Sequence, residues 1–390
     1  MTGVSIDNNG RTAATVAFVP ESEHGTGRRL ERQPDPRLPG LEAVVWASPI
    51  FVVGCPRSGT TLVQTMLDSH PRICVTYESD FLVDIPLGLR SSLANAAQAL
   101  RSAVAHPNFR THDFDVAGVR AVCRELGIID SAGAMRVLAA SQALAQGKSR
   151  WGNKTPKALL HLAELAVVYP DAQFIHVIRD GREAASSQTR VSGRSLVEGA
   201  LLWRTGLRTG RRAGSRLGPN RYLEVRLEEV LASPEAQLRR MCAFLGEDFA
   251  PSMLQFHKGA RQRIPASDLG IHPRLGEPPQ PVSSSHEDAA PKLVQRAAAA
   301  LMDKELVELG YARAPSGRSR RIVRIIVGYA LFIFSLRRSL PDLFRHLARC
   351  QGARRAVRHG GYEPGGPHSQ GGIMARQVAM SASIEAPGAP

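Results

Sequence analysis

Apolar and polar positions along this chain fall into blocks that read alternately as strands and helices. The run AVVWASPIFVVG is apolar and stops at Gly54, the pattern of a buried strand. TTLVQTMLDSH follows a short loop with its apolar residues at helical spacing. Residues 90–148 are alanine-rich and helically spaced, which predicts a helical subregion. KALLHLAELAVVYP reads as a helix stopped at Pro170, and AQFIHVIR as a second buried strand. DGREAASSQTR opens another helix with Asp180 as its N-cap. RYLEVRLEEVLASPEAQLRRMCAFLG predicts a strand, a short helix and a longer helix ending at Gly246. Residues 258–290 are proline-rich and irregular, and APKLVQRAAAALMDKELVELGY is a helix closing at Gly310. This alternation predicts an α/β fold, a central parallel sheet flanked by helices.

The ends of the chain have a different composition. Residues 1–45 are rich in Gly, Pro and polar side chains and read as a mostly disordered lead-in to a domain over 46–312. Residues 313–350 read as a basic, apolar helical extension, and 351–390 as a Gly/Pro-rich disordered tail. The formal charge of +15 is concentrated: from Arg313 to Arg358 there are twelve arginines, no lysine and one acid, Asp342, a net +11. The body is close to balanced and carries no zinc-finger or RNA-binding signature, so no nucleic-acid partner is expected. Five scattered cysteines without a C-x-x-C motif suit free thiols, and the N-terminus lacks a secretory pattern, so a cytoplasmic location is expected.

Within the basic extension lies IIVGYALFIFSL, residues 325–336. As a helix it would reach about 18 Å, short of the roughly 30 Å hydrocarbon core of a bilayer. Two readings stand: a peripheral contact with anionic lipid at the inner membrane face through residues 316–358, or a helix packed on the domain with its arginines in water.

The chemistry concentrates in GCPRSGTT, Gly54 to Thr61, placed between a strand and a helix. It follows the phosphate-binding pattern G-x-x-x-x-G-K-[ST] except that Thr60 replaces the lysine. Backbone N–H groups at such a turn attract anions. Arg57 and the hydroxyls of Ser58, Thr60 and Thr61 can grip one without a metal, and FIHVIRD offers no metal-binding aspartate at the end of a later strand, because Arg179 comes first.

VGCPRSGTTLVQTMLDSHP followed by HVIRDGREAASS resembles the sulfotransferases that use 3′-phosphoadenosine 5′-phosphosulfate, in particular the protein-tyrosine sulfotransferases and the bacterial group related to them. The likeness covers roughly residues 48–312 and implies a P-loop-like sulfotransferase fold, a sulfated nucleotide as co-substrate and no metal. It implies that Arg57, Ser58, Gly59, Thr60 and Thr61 hold the 5′-phosphosulfate. It implies that Arg179 and Ser187, eight residues apart, hold the 3′-phosphate. It places Lys154 of WGNKTP beside the transferred group, and Glu78 of CVTYESDF, twenty-one residues after Arg57, as the general base. Arg57 joins both sets.

Three departures bear on the acceptor and the nucleotide. The tyrosine-sulfating branch has an arginine where this chain has Asp80, so a peptide acceptor is not favoured. Relatives carry a tyrosine where this chain has Leu227, and a late nucleotide contact aligns with nothing firmer than Ser283, Ser284 or Ser285. The apolar basic extension favours a hydrophobic or lipid-like alcohol as acceptor. The alternatives are a carbohydrate or peptide hydroxyl, a kinase with an altered P-loop, or a catalytically silent, membrane-associated binding module. Arg182 reads as a solvated helix residue, and His70, His176, Trp151, Trp203 and Cys55 read as structural.

Overall fold

The computed structural model describes residues 38–88, 96–106, 108–109, 114–280 and 290–312. Contacts divide the chain after Leu38, and the sheet with its covering helices belongs to the unit from Pro39 onward. In chain order the elements are α1 (Leu38–Val45), β1 (Ile50–Gly54), α2 (Thr60–Asp68), β2 (Ile73–Tyr77), α3 (Phe81–Gly88), α4 (Ala96–Ala105), α5 (Val116–Glu125) and α6 (Ser131–Ala145). Then come β3 (Arg150–Lys154), α7 (Leu162–Val168), β4 (Gln173–Ile178), α8 (Gly181–Ser192), α9 (Leu196–Leu217), β5 (Tyr222–Arg226), α10 (Leu227–Ala232), α11 (Pro234–Leu245) and α12 (Lys292–Glu308).

The five strands form one sheet in the order β2-β3-β1-β4-β5, and each neighbouring pair is parallel. Alternate residues of β1 face opposite layers. Phe51 and Val53 join a core with α1, α3–α7 and Trp151, whereas Ile50 and Val52 join one with α2, α11 and Phe256. A third apolar cluster, including Cys55, Ile178, Trp203 and Met302, lies where α8, α9 and α12 pack together. A sheet buried on both faces needs apolar residues at consecutive positions, which is why β1 shows no polar alternation.

The helix boundaries follow local hydrogen bonding. Asp180 accepts from the Arg182 N–H at 2.9 Å as the N-cap of α8, and Gly246 in left-handed backbone ends α11. At α9, Ser195 and Glu198 form a reciprocal capping box. Asp130 caps α6 through the Gly133 N–H at 2.7 Å. Because α6 covers the sheet beside β3, Asp130→Ala should cost about 1 kcal/mol of unfolding free energy, read as a lower urea midpoint with unchanged slope.

The domain begins earlier than residue 46. Helix α1 buries Leu41, Val44 and Val45 in the core, so this part of the expected lead-in is structural. The helix expected from KALLHLAELAVVYP is divided into a 3-10 turn, Pro156–His161, followed by α7. Residues 1–37, the basic extension and tail over 313–390, and Ser283–Ser285 lie outside the described residues.

Candidate active site

Every strand delivers a candidate residue at its carboxyl end. β1 runs into the loop that holds Arg57 to Gly59, and β2 ends one residue before Glu78. Lys154 closes β3, Arg179 follows β4, and Leu227 follows β5. In an open parallel sheet this edge, near the point where strand order reverses, is where ligands bind. Chain topology thus gathers Arg57, Glu78, Arg179 and Leu227, the outermost of them 170 positions apart, around one cleft.

The loop geometry explains its glycines. A Cβ on Gly54 would lie 2.6 Å from the Val177 carbonyl oxygen, on the neighbouring strand. Gly59 has φ +90°, and a Cβ there would lie 2.5 Å from Leu227 Cδ1. Gly59 leads into α2, whose first N–H groups receive no side-chain cap. Arg57 itself has φ 71°, a conformation that non-glycine residues seldom adopt and that collects at functional sites. It is held there from β4 and α8: Arg179 Nη1 donates to the Arg57 carbonyl at 3.2 Å, and Gln188 Nε2 to the Pro56 carbonyl at 3.1 Å.

The side chains converge on the same space. Arg57 Nε donates to Ser187 Oγ at 3.2 Å, linking the loop to α8. Arg179 also pairs with Glu183 at 3.3 Å. Burial lowers the pKa of both guanidiniums, and for Arg57 the next cause is Arg179. Both remain cations, because arginine starts far above neutrality. Ser58 Oγ and Arg179 Nε are buried without a hydrogen-bond partner among the described residues. Two close arginines, two orphaned polar atoms and an uncapped helix start make a site suited to an anion with several acceptor oxygens.

The second half of the site is an ion pair with one buried partner. Lys154 Nζ contacts Glu78 Oε1 at 2.7 Å and lies 3.7 Å from the centre of the Tyr77 ring. The lysine is fully buried, and burial pulls its pKa from the ordinary 10.5 to about 8, against the raising effect of Glu78. Glu78 keeps a side chain 37% exposed, which leaves its carboxylate open to the cleft. Its φ is 34°, and its backbone is fixed by a bond from its N–H to the Lys154 carbonyl at 2.9 Å.

A segment unrecognised in the sequence covers the cleft. After Ile264, two 3-10 turns, Ala266–Ile271 and Pro273–Gly276, lay side chains over the loop. Tyr77 donates its hydroxyl to Asp268 at 2.7 Å, Arg57 Nη2 donates to the Ile271 carbonyl at 2.8 Å, and His272 Nε2 lies 3.4 Å from Thr61 Oγ1. Together these parts enclose a cavity of about 450 Å³, lined by Arg57, Thr61, Glu78, Arg179 and an apolar wall that includes Leu227 and Leu231. The only sequence signal for this segment is its density of prolines.

Comparison with known proteins decides the family: residues 49–251 match the family model described as "Sulfotransferase family". The chain belongs to the sulfotransferase family. It is similar to protein-tyrosine sulfotransferase 1 of Danio rerio, 27% identical over 256 residues, covering 60% of this chain and 67% of that one. It is also similar to protein-tyrosine sulfotransferase A of Caenorhabditis elegans, 27% identical over 203 residues, covering 50% of this chain and 49% of that one. The chain thus spans about half to two thirds of the length of these curated relatives. Among solved structures it resembles the sulfotransferase domain from the Synechococcus PCC 7002 olefin synthase, at 21% identity and a TM-score of 0.45, covering 69% of this chain and 97% of that one.

The remaining polar positions of this sulfotransferase are structural in their surroundings. His176 is buried against the Tyr222 hydroxyl at 2.6 Å, and His70 Nε2 lies 2.8 Å from the Asp248 carbonyl. Trp151 is packed in the core, while Trp203 donates to the Arg179 carbonyl at 3.0 Å and so braces the site from behind. Cys55 is buried, and burial pushes its thiol up to about 12. Arg182 is not a free solvated side chain: it pairs with Asp180 and donates to the Ala312 carbonyl at 3.1 Å.

Proposed function

We propose that this chain transfers a sulfuryl group from 3′-phosphoadenosine 5′-phosphosulfate to the hydroxyl of a hydrophobic small-molecule alcohol. The observation that carries the reading is one cavity lined by the Arg57 loop, Glu78 and Arg179, with Ser187 bonded to Arg57 and the buried Lys154 paired to Glu78. Arg57, Ser58, Gly59, Thr60 and Thr61 take the 5′-phosphosulfate, and Arg179 with Ser187 takes the 3′-phosphate. The acceptor oxygen attacks sulfur, its proton passes to the Glu78 carboxylate, and the sulfur–oxygen bond to the 5′-phosphate breaks. Lys154, with Arg57, offsets the charge that develops on the departing oxygen. Adenosine 3′,5′-bisphosphate leaves. The fixed backbone at Arg57 and Glu78 supports this reading, because both groups are oriented before substrate arrives.

The acceptor assignment rests on the apolar wall of Val191, Leu227, Leu231, Ile271 and Leu275 around the cleft. Residues 316–358, by their charge and apolar run, are the segment we assign to contact with anionic lipid; among the described residues no helix is long and apolar enough to cross a membrane. The relatives named protein-tyrosine sulfotransferases favour a second reading, a tyrosine hydroxyl. Against it, Asp80 stands where the tyrosine-sulfating branch has an arginine, and it pairs with Lys157 at 2.9 Å.

Two measurements test the proposal. Calorimetry with chelator present should show adenosine 3′,5′-bisphosphate binding in preference to ATP; a magnesium requirement or a preference for ATP overturns the donor. Transfer of labelled sulfate should then be scored on long-chain alcohols, phenols, saccharides and tyrosine peptides. Labelling of peptides alone would overturn the acceptor and leave the donor in place.

A further inference from the structure

One group on the lip of the cavity is explained neither by the anion loop nor by the Glu78–Lys154 pair. His272 sits between the two 3-10 turns that cover the cleft. Its Nε2 faces Thr61 Oγ1 at 3.4 Å, and its ring meets Tyr77 edge-on, with centroids 6.4 Å apart. The carbonyl of the preceding residue, Ile271, accepts from Arg57 Nη2 at 2.8 Å. The imidazole is therefore tethered beside two residues of the anion loop. A neutral imidazole in this position can exchange one hydrogen bond with the Thr61 hydroxyl, whichever nitrogen carries the proton.

The charges around it come from several elements. Arg57 projects from the loop after β1, Lys154 from the end of β3, and Asp268 from the segment that carries His272 itself. Tyr77 and Glu78, from the end of β2, line the same cavity, as do Arg274 and Glu277. Burial, then Arg57, then Lys154 hold the His272 pKa down at about 4, with Asp268 opposing them. The ring is thus neutral at physiological pH for reasons that are partly reversible. Burial is fixed, but an anion bound at Arg57 offsets the larger of the two cationic effects.

We propose that His272 is an anion-responsive ligand of the nucleotide site: when the 5′-phosphate fills the loop, the imidazole takes up one proton from solvent and donates a charge-assisted hydrogen bond to it. This rests on the donor reading above. No covalent bond changes, and the balance is one proton gained by His272 for one anion bound. The linkage has a definite sign. A group whose pKa is higher in the complex than in the free protein tightens binding as pH falls through the upper pKa, and the effect levels off below the lower one, here about 4. Nucleotide affinity therefore rises from neutral pH into the acid range.

The experiment is calorimetry of adenosine 3′,5′-bisphosphate at about pH 6 in two buffers of different ionisation enthalpy, with wild type and His272→Gln. The nucleotide's own phosphate ionisation contributes to both proteins, so the difference between them is the readout. Wild type should take up as much as about one proton more per nucleotide than the variant. Its affinity should also weaken more steeply between about pH 6 and pH 8, by up to about tenfold for each pH unit in which His272 titrates. The glutamine keeps an amide that can meet Thr61, so a purely structural role for His272 would alter affinity equally at both pH values. Equal proton uptake in the two proteins overturns this inference and leaves the donor reading standing. Absence of nucleotide binding by wild type overturns both.

Discussion

Glu78→Gln should lower the rate of sulfate transfer by about 10²–10⁴-fold while leaving the affinity for adenosine 3′,5′-bisphosphate nearly unchanged. The substitution preserves the shape of the side chain and removes its capacity to take the acceptor proton. The backbone bond from the Glu78 N–H to the Lys154 carbonyl does not depend on the side chain, so the strained turn should persist. Single-turnover transfer of labelled sulfate, alongside nucleotide calorimetry, separates the two quantities. Wild-type turnover in the variant would remove Glu78 from the chemistry.

The same variant carries a pH signature through Lys154. Burial depresses its pKa to about 8, and the Glu78 charge and hydrogen bond are the largest effects that oppose the depression. If the ammonium is the required form, kcat/KM for wild type should decline above about pH 8, because that ratio reports the free enzyme. Without the carboxylate the opposing effects are lost, so the alkaline limb of Glu78→Gln should move to lower pH. A limb that stays in place would mean that the lysine is not the titrating group.

How far these residues could be read without coordinates depends on whether their signal is local. β1, β4 and β5 are legible because their apolar runs are interrupted by glycine or arginine where the sheet ends. β3 is not legible: RWGNK contains one large apolar residue. Its pairing with β1 and β2 is what makes it a strand, and each polar position answers to a distant neighbour. A Cβ on Gly152 would lie 2.7 Å from the Ile50 carbonyl, Asn153 Nδ2 donates to the Ser79 carbonyl at 3.2 Å, and Lys154 is buried against Glu78. Helix α9 hides for a related reason. Gly206 and Gly210 sit where Leu159 packs, and Gly214 where Tyr222 packs, so glycines interrupt the buried stripe that Leu196, Trp203 and Leu207 begin.

The site divides in the same way. The anion loop is a contiguous motif, and its strand–turn–helix context is local, so Gly54 to Thr61 could be placed from the sequence. The spacing of Arg179 and Ser187 is also local, since Arg179 stands just before α8 and Ser187 within it. What sequence order conceals is contact across more than two hundred positions. The bonds from Arg57 to Ile271 and from Thr61 to His272 join residues 214 and 211 apart. Only the folded chain shows that the proline-rich stretch after Ile264 is part of the cleft wall.

Arg179→Ala should weaken adenosine 3′,5′-bisphosphate by about 10–150-fold, the equivalent of the roughly 1.5–3 kcal/mol that a hydrogen bond to a charged group contributes. Adenosine 5′-monophosphate, which lacks the 3′-phosphate, separates two effects of the change. Arg179 Nη1 also donates to the Arg57 carbonyl and so helps hold the loop in its positive-φ form. Loss of that support weakens both nucleotides together, whereas loss of the 3′-phosphate contact weakens only the bisphosphate. The ratio of the two affinities, measured by calorimetry, is therefore the test, and it should fall toward one in Arg179→Ala. Arg179→Lys should restore part of it, because an ammonium supplies charge without the paired donors of a guanidinium. An unchanged ratio, with both nucleotides weakened equally, would make Arg179 a brace for the anion loop and move the 3′-phosphate away from it. Trp203 offers an internal control. Its indole holds the Arg179 carbonyl at 3.0 Å and packs with Cys55, Ala184 and Ala185, so a change there acts on the scaffold of the site and should weaken both nucleotides together.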